Sequence, residues 1–186
     1  MKKPVRYITH AAIIAAVYAG LTIALAPISF GPIQVRIAEA MCILPLFTPA
    51  AIPGLAIGCF IANLSSTFGW PDLIIGTGAT LIAASLTYFL RRWKWISPLY
   101  TVIINAFAVP FVFFLSAVLG INTTQAGWLV YWINVGWIAL GETLACFGLG
   151  LPLMMLMERL KANLYAPESM QPKATAGKKG KKEKDS

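Results

Sequence analysis

The sequence predicts an all-α integral membrane protein, a bundle of six transmembrane helices with both termini cytoplasmic. Hydrophobic residues make up 58% of the 186-residue chain and charged residues only 12%. Apolar runs of the roughly 20 residues needed to cross a bilayer recur along it. The basic residues gather at the ends of those runs and in the C-terminal tail, so the formal charge of +8 reports orientation and not a nucleic-acid-binding face.

The first run, 8–27, follows Lys2, Lys3 and Arg6 as a signal peptide's apolar stretch would. It is long enough to span and lacks a clear small-x-small cleavage site, so it is expected to stay as a first helix. Ala11, Ala15 and Ala19 form a small-residue ladder on it, with Ala12 and Ala16 alongside, a pattern that lets another helix come close. The next stretch, 37–66, contains Pro45, Pro49 and Pro53 and is too long for one straight span. Charge parity decides its path. Two crossings, 37–49 and 52–66, put the N-terminus, the Arg91-Arg92-Trp93-Lys94 loop and the Lys-rich tail on one side, with Arg36 alone of the fifteen Lys and Arg residues outside. A single crossing would put that loop and the tail outside.

The remaining spans are 73–90, 96–119 and 128–157, which makes 1–160 the transmembrane domain of a multi-pass protein of the cell (plasma) membrane. Residues 161–186 carry Pro167, Pro172 and many lysines with almost nothing apolar after Met170, the composition of a disordered cytoplasmic tail.

Counting 1.5 Å per residue along the spans assigns the polar residues to layers. Arg36, Glu39, Asp72 and Trp128 fall near the outer surface, with Asn63 and Asn134 somewhat below. Asn105, counted up the fifth span, and Glu142, counted down the sixth, reach similar depths and are able to meet. A carboxylate in hydrocarbon costs several kcal/mol unless it is protonated, paired or hydrated, so Glu142 is a functional candidate by default. Its structural alternative is a protonated side chain bonded to Asn105 or to a backbone carbonyl near Gly141. Arg36 and Glu39, three residues apart, form either a local ion pair or part of a polar site. Tyr131, Asn134, Ile138, Gly141 and Glu142 follow one helical face, suited to a flat ring stacked on an aromatic and hydrogen-bonded at its edge. Trp128, Tyr131, Trp132 and Trp137 also suit an interfacial aromatic belt, and Asp72 suits a helix cap.

Cys42, Cys59 and Cys146 lie in apolar segments without metal-ligand spacing, so neither a disulfide nor a metal site is expected. No cofactor is expected either. The chain has no Gly-x4-Gly-Lys-Ser/Thr loop, no His-Glu-x-x-His and no Ser-His-Asp set, which argues against an enzyme and leaves any ATP hydrolysis to separate proteins.

Six short spans, the N-terminal Ala ladder and three segments carry a resemblance. The segments are Val35-Arg36-Ile-Ala-Glu39-Ala, the Pro-rich stretch from Leu44-Pro45 through Pro49, Pro53-Gly54 and Gly58-Cys59 to Asn63, and Gly141-Glu142-Thr-Leu-Ala-Cys146. With these the chain resembles the QueT family, substrate-binding S components of energy-coupling factor (ECF) transporters, from about His10 to Leu160. The resemblance implies a queuosine precursor as substrate, a deazaguanine base such as 7-aminomethyl-7-deazaguanine or queuine. It implies as partners a transmembrane T component and two ABC ATPases, with Ala11, Ala12, Ala15, Ala16 and Ala19 as T-component contacts. The expected substrate-binding residues are Arg36, Glu39, Asn63, Asp72, Asn105, Trp128, Tyr131, Asn134 and Glu142. An S component for another vitamin-like molecule, an autonomous proton-coupled carrier using Glu142, and a structural membrane subunit are the alternatives.

Overall fold

The computed structural model describes residues 3–29, 35–122 and 127–165. Every regular element among them is helical. In chain order these are α1 (Lys3–Ala24), the single turn α2 (Ala26–Ser29), a 3₁₀ segment Ile37–Leu46, α3 (Ala51–Asn63), and a π-helical turn Asp72–Gly76 that runs into α4 (Thr77–Phe89). A second 3₁₀ segment, Arg91–Ile96, leads into α5 (Ser97–Val118); α6 (Trp128–Thr143), a π-helical segment Leu144–Gly150 and α7 (Leu151–Tyr165) complete the chain. The chain divides into two compact units, Met1–Met154 and Met155–Ser186.

Four stretches have the length and hydropathy of a membrane crossing: Pro4–Ala24, Asp72–Phe89, Arg91–Val118 and Trp128–Leu160. Ile37–Leu46 and Ala51–Asn63 are apolar but shorter. At rises of ~2.0 and ~1.5 Å per residue each covers ~20 Å, against ~30 Å of hydrocarbon. The stretch 37–66, expected to cross twice, is therefore two short helices. Pro45 and Pro49 remove backbone donors where the first ends and the second begins, and Thr48 Oγ1 accepts from the Ala50 amide at 3.3 Å in the bend between them. At the other end of the chain, α7 carries helix to Tyr165, so 161–165 are not part of an irregular tail. Leu, Met, Glu, Arg, Lys and Ala dominate that segment, and all favour helix. The rest of the expected tail, 166–186, lies outside the described residues.

Side-chain size sorts the bundle from inside to outside. Ala11, Ala15, Ala51, Ala62, Ala83, Ala84, Ala106 and Ala145 are buried, whereas Ile8, Ile13, Ile57, Ile82, Phe107, Phe111, Trp132 and Leu140 face outward. Lipid is as apolar as leucine, so helices in a membrane gain by close backbone packing and not by hiding large hydrophobes. The α1–α3 seam follows that rule. A Cβ on Gly54 would sit 2.8 Å from the Ala11 carbonyl, and one on Gly58 would sit 2.8 Å from the Ala15 carbonyl and from Tyr18 Cβ. Ala11, Ala15 and Ala19, expected to face a partner protein, are thus turned into the chain's own core, while Ala12 and Ala16 are exposed. The 37–46 segment packs among α1, α4 and the 144–150 segment. Gly150 permits its approach, with a Cβ there lying 3.3 Å from the Ala40 carbonyl.

Candidate functional site

A 3₁₀ helix has three residues per turn, so positions three apart stack in one row. In Ile37–Leu46 and its preceding residue that row is Arg36, Glu39, Cys42 and Pro45, and all four are buried. The geometry aims Arg36 and Glu39 into the bundle, with 3% and 2% of their surfaces exposed. Five other polar side chains meet them there from α1, α3, α4, α5 and α6 or their first turns. They fall into two linked groups.

The first group is built on Asn63, at the end of α3. Arg36 Nη2 donates to Asn63 Oδ1 at 3.1 Å, and Asn63 Nδ2 donates to the Asp72 carbonyl at 3.0 Å and to Asp72 Oδ1 at 3.5 Å. One carboxamide thus joins a cation to an acid using both of its ends. Cys59 Sγ lies beneath, 3.9 Å from Arg36 Nη1 and 3.5 Å from Asn63 Nδ2. Thr80 Oγ1, within 3.3 Å of that sulfur, also lies 3.2 Å from the Gly76 carbonyl that the π turn exposes. Asp72 stands in the first turn of this helical stretch, where an acid is favoured by the helix dipole. Its carboxylate turns to Asn63 and makes no capping bond.

The second group is built on Asn105, midway along α5. Asn105 Nδ2 donates to Glu142 Oε1 at 3.0 Å, the meeting that the depth count allowed. The same carboxamide reaches the Glu39 carboxyl, which also accepts from the Tyr18 hydroxyl at 2.5 Å. Cys146, one turn beyond Glu142, places its thiol 3.6 Å from both the Glu39 carbonyl and Glu142 Oε2. α1, the 3₁₀ segment, α5 and α6 are tied together at this point. Among the described residues no group of three or more His, Cys, Asp or Glu side chains is placed to hold a metal ion.

Not every expected residue arrives. Asn134, Ile138, Gly141 and Glu142 share a buried face of α6 as their spacing requires. Trp128 is 65% exposed and packs on Phe114 with ring centroids 4.8 Å apart. Tyr131, half-buried, donates to the Phe107 carbonyl at 3.4 Å. Both therefore belong to the N-terminal end of α6 and not to the polar centre.

Residues the sequence did not single out do arrive. Tyr18, fully buried, continues the Ala11–Ala15 face of α1 and was hidden by it, because one hydroxyl barely alters a small-residue periodicity. Cys59, Thr80 and Cys146 pass for apolar filler by composition. Phe68 and Phe113 form a buried stack with centroids 4.1 Å apart, and Ser116 Oγ donates to the Phe68 carbonyl at 2.8 Å, fastening the 64–71 connection to α5.

Arg36, Glu39, Asn63, Asp72, Asn105 and Glu142 come from four separate regions of the sequence and meet in one buried cluster. The QueT transporter family profile matches residues 8–159, which takes in all of them. This chain belongs to the QueT transporter family. QueT proteins are transporters and not enzymes, in agreement with the resemblance drawn from the residues and with the multi-pass helical bundle. The chain is also 42% identical to the queuosine precursor transporter QueT of Lactococcus lactis subsp. cremoris (strain MG1363) over 93 residues, 48% of this chain and 54% of that protein. The chain thus matches about half the length of this curated relative. No solved structure matches the chain.

Proposed function

We propose that this QueT-family chain is the substrate-binding S component of an ECF-type importer and that the buried cluster binds a queuosine precursor, a deazaguanine base. The observation that carries this reading is the cluster itself: three carboxyls, one guanidinium and two carboxamides buried at the centre of an apolar helical bundle. The relative's name supplies the ligand class. A deazaguanine edge offers ring N–H and exocyclic amine donors together with one carbonyl acceptor. Glu39 and Glu142 supply carboxylate acceptors for the first and Arg36 a donor for the second, with Asn105 and Asn63 holding these groups in place.

In this reading the chain crosses the plasma membrane six times with both termini cytoplasmic, the two short helices making the second and third crossings. Energy comes from outside the chain: a T component docks against it and two ABC ATPases drive the change of exposure. Of the five alanines expected at that contact, Ala12 and Ala16 are the two whose side chains remain outside the core.

Calorimetric titration of the purified chain with 7-aminomethyl-7-deazaguanine and queuine tests the ligand. Glu39→Gln and Glu142→Gln should each weaken binding by at least about tenfold, since a charge-assisted hydrogen bond contributes roughly 1.5–3 kcal/mol. Wild-type affinity in both variants would rule out carboxylate recognition. Uptake in cells lacking every ECF ATPase tests the coupling, and uptake that persists there would sink the S-component role.

A further inference from the structure

Glu39, Asp72 and Glu142 place three carboxyls in the cluster against one guanidinium, Arg36, and all four side chains are buried. Charge held this far from water is costly unless balanced, and Arg36 offsets at most one carboxylate. The two glutamates already have donors, Tyr18 on Glu39 and Asn105 on Glu142. Asp72 differs. Its Oδ1 takes a 3.5 Å bond from Asn63, while Oδ2, equally buried, accepts no hydrogen bond from any described residue. The helix N-terminus beside it contributes only roughly half a positive charge. The Asp72–Asn63 pair also packs directly on Gly76, which leaves room for it only by lacking a side chain. A Cβ on Gly76 would lie 2.6 Å from Asp72 Oδ1 and 2.8 Å from Asn63 Nδ2, so a side chain there would displace the pair.

We propose that Asp72 is the acceptor for a ligand ammonium group, so that the cluster selects a cationic, donor-rich base over its neutral counterpart. The inference rests on the substrate reading above and adds to it the charge of the ligand. An ammonium carries three donors and no acceptor, which fits a carboxylate with an oxygen left open. In a water-poor site an N⁺–H···O⁻ bond is roughly twice as strong as a neutral one. Asn63 holds Oδ1, so the open oxygen is presented in a fixed direction. The ring edge then falls to Glu39, Asn105 and Glu142, and the substituent to Asp72.

The full chain in nanodiscs, titrated with 7-aminomethyl-7-deazaguanine and with neutral 7-cyano-7-deazaguanine, tests this. Wild type should prefer the aminomethyl base by at least about 30-fold, the scale of a desolvated charge pair. Asp72→Asn should abolish that preference, weakening binding of the amine at least about tenfold more than that of the nitrile. Should Asp72→Asn fail to fold by thermal melting, Gly76→Ala, which keeps the carboxylate but displaces it, must erode the preference instead. Equal wild-type affinity for the two bases, equal losses for both in folded Asp72→Asn, or full preference in Gly76→Ala overturns the proposal and leaves the substrate reading standing. Binding of neither base to wild type overturns both.

Discussion

Along the α1–α3 seam, glycine lets backbone meet backbone: the Ala11 and Ala15 carbonyls come within 2.8 Å of where Gly54 and Gly58 would carry a Cβ. At the bundle centre, Glu39, Asn105 and Glu142 hold their elements by hydrogen bonds instead. The seam is determined by shape, and a packed shape tolerates little change. The centre is determined by donors and acceptors, which a ligand offering the same groups is able to replace. The proposed function uses both properties, one region that stays and one that exchanges partners. Tyr18 belongs to each. Its Cβ lies against Gly58 and its hydroxyl donates to Glu39, so the seam sets where one donor of the centre stands.

That division is broken most severely by Gly58→Val. The new side chain meets the Ala15 carbonyl and Tyr18 Cβ, neither of which is a flexible end. A loss of about 3 kcal/mol is expected, with ligand binding lost as Tyr18 leaves Glu39, both measured by thermal melting with and without the base. Asn105→Leu acts on the centre alone. Its loss removes the donor to Glu142 and strands a buried carboxyl, an expected cost of about 2 kcal/mol accompanied by loss of binding. Tyr18→Phe sharpens the comparison, because the seam keeps its ring and the centre loses one donor. Melting should fall by about 1 kcal/mol while affinity drops several-fold; unchanged affinity would place Tyr18 with the seam only. The smallest stability effect is expected for Ala16→Leu on the exposed side of α1, within about 0.5 kcal/mol and with binding intact. Uptake should nevertheless fail if that face meets the T component, and normal uptake would remove Ala16 from the contact.

The Asn105–Glu142 meeting was legible in the sequence because both residues lie on long helices whose ends are marked by charge and aromatic residues, so a constant rise fixes their depth. Trp128 and Tyr131 show the limit of that reasoning. They share a helix with Glu142 but lie about three to four turns from it, in the first turn of α6, where their side chains reach the surface. The alanine ladder marks a face for close helix packing and leaves open whether a helix of the same chain or of a partner takes it. Gly54 and Gly58 of the same chain take Ala11 and Ala15, leaving Ala12 and Ala16 outside.

Composition and charge placement determined the class of protein, because hydrocarbon admits few charges and polar backbone only when it is helical. The acids and amides at the centre are the groups on which the proposed ligand reading rests. Tertiary structure alone decided that Arg36 and Glu39 point inward, since this depends on a 3₁₀ winding that the Pro-rich sequence does not display as a periodicity. It alone brought Asn63 between Arg36 and Asp72 and left one carboxylate oxygen open. Such contacts join residues far apart in the chain, and their distances follow from how closely helices pack, which is set by side chains on both partners at once.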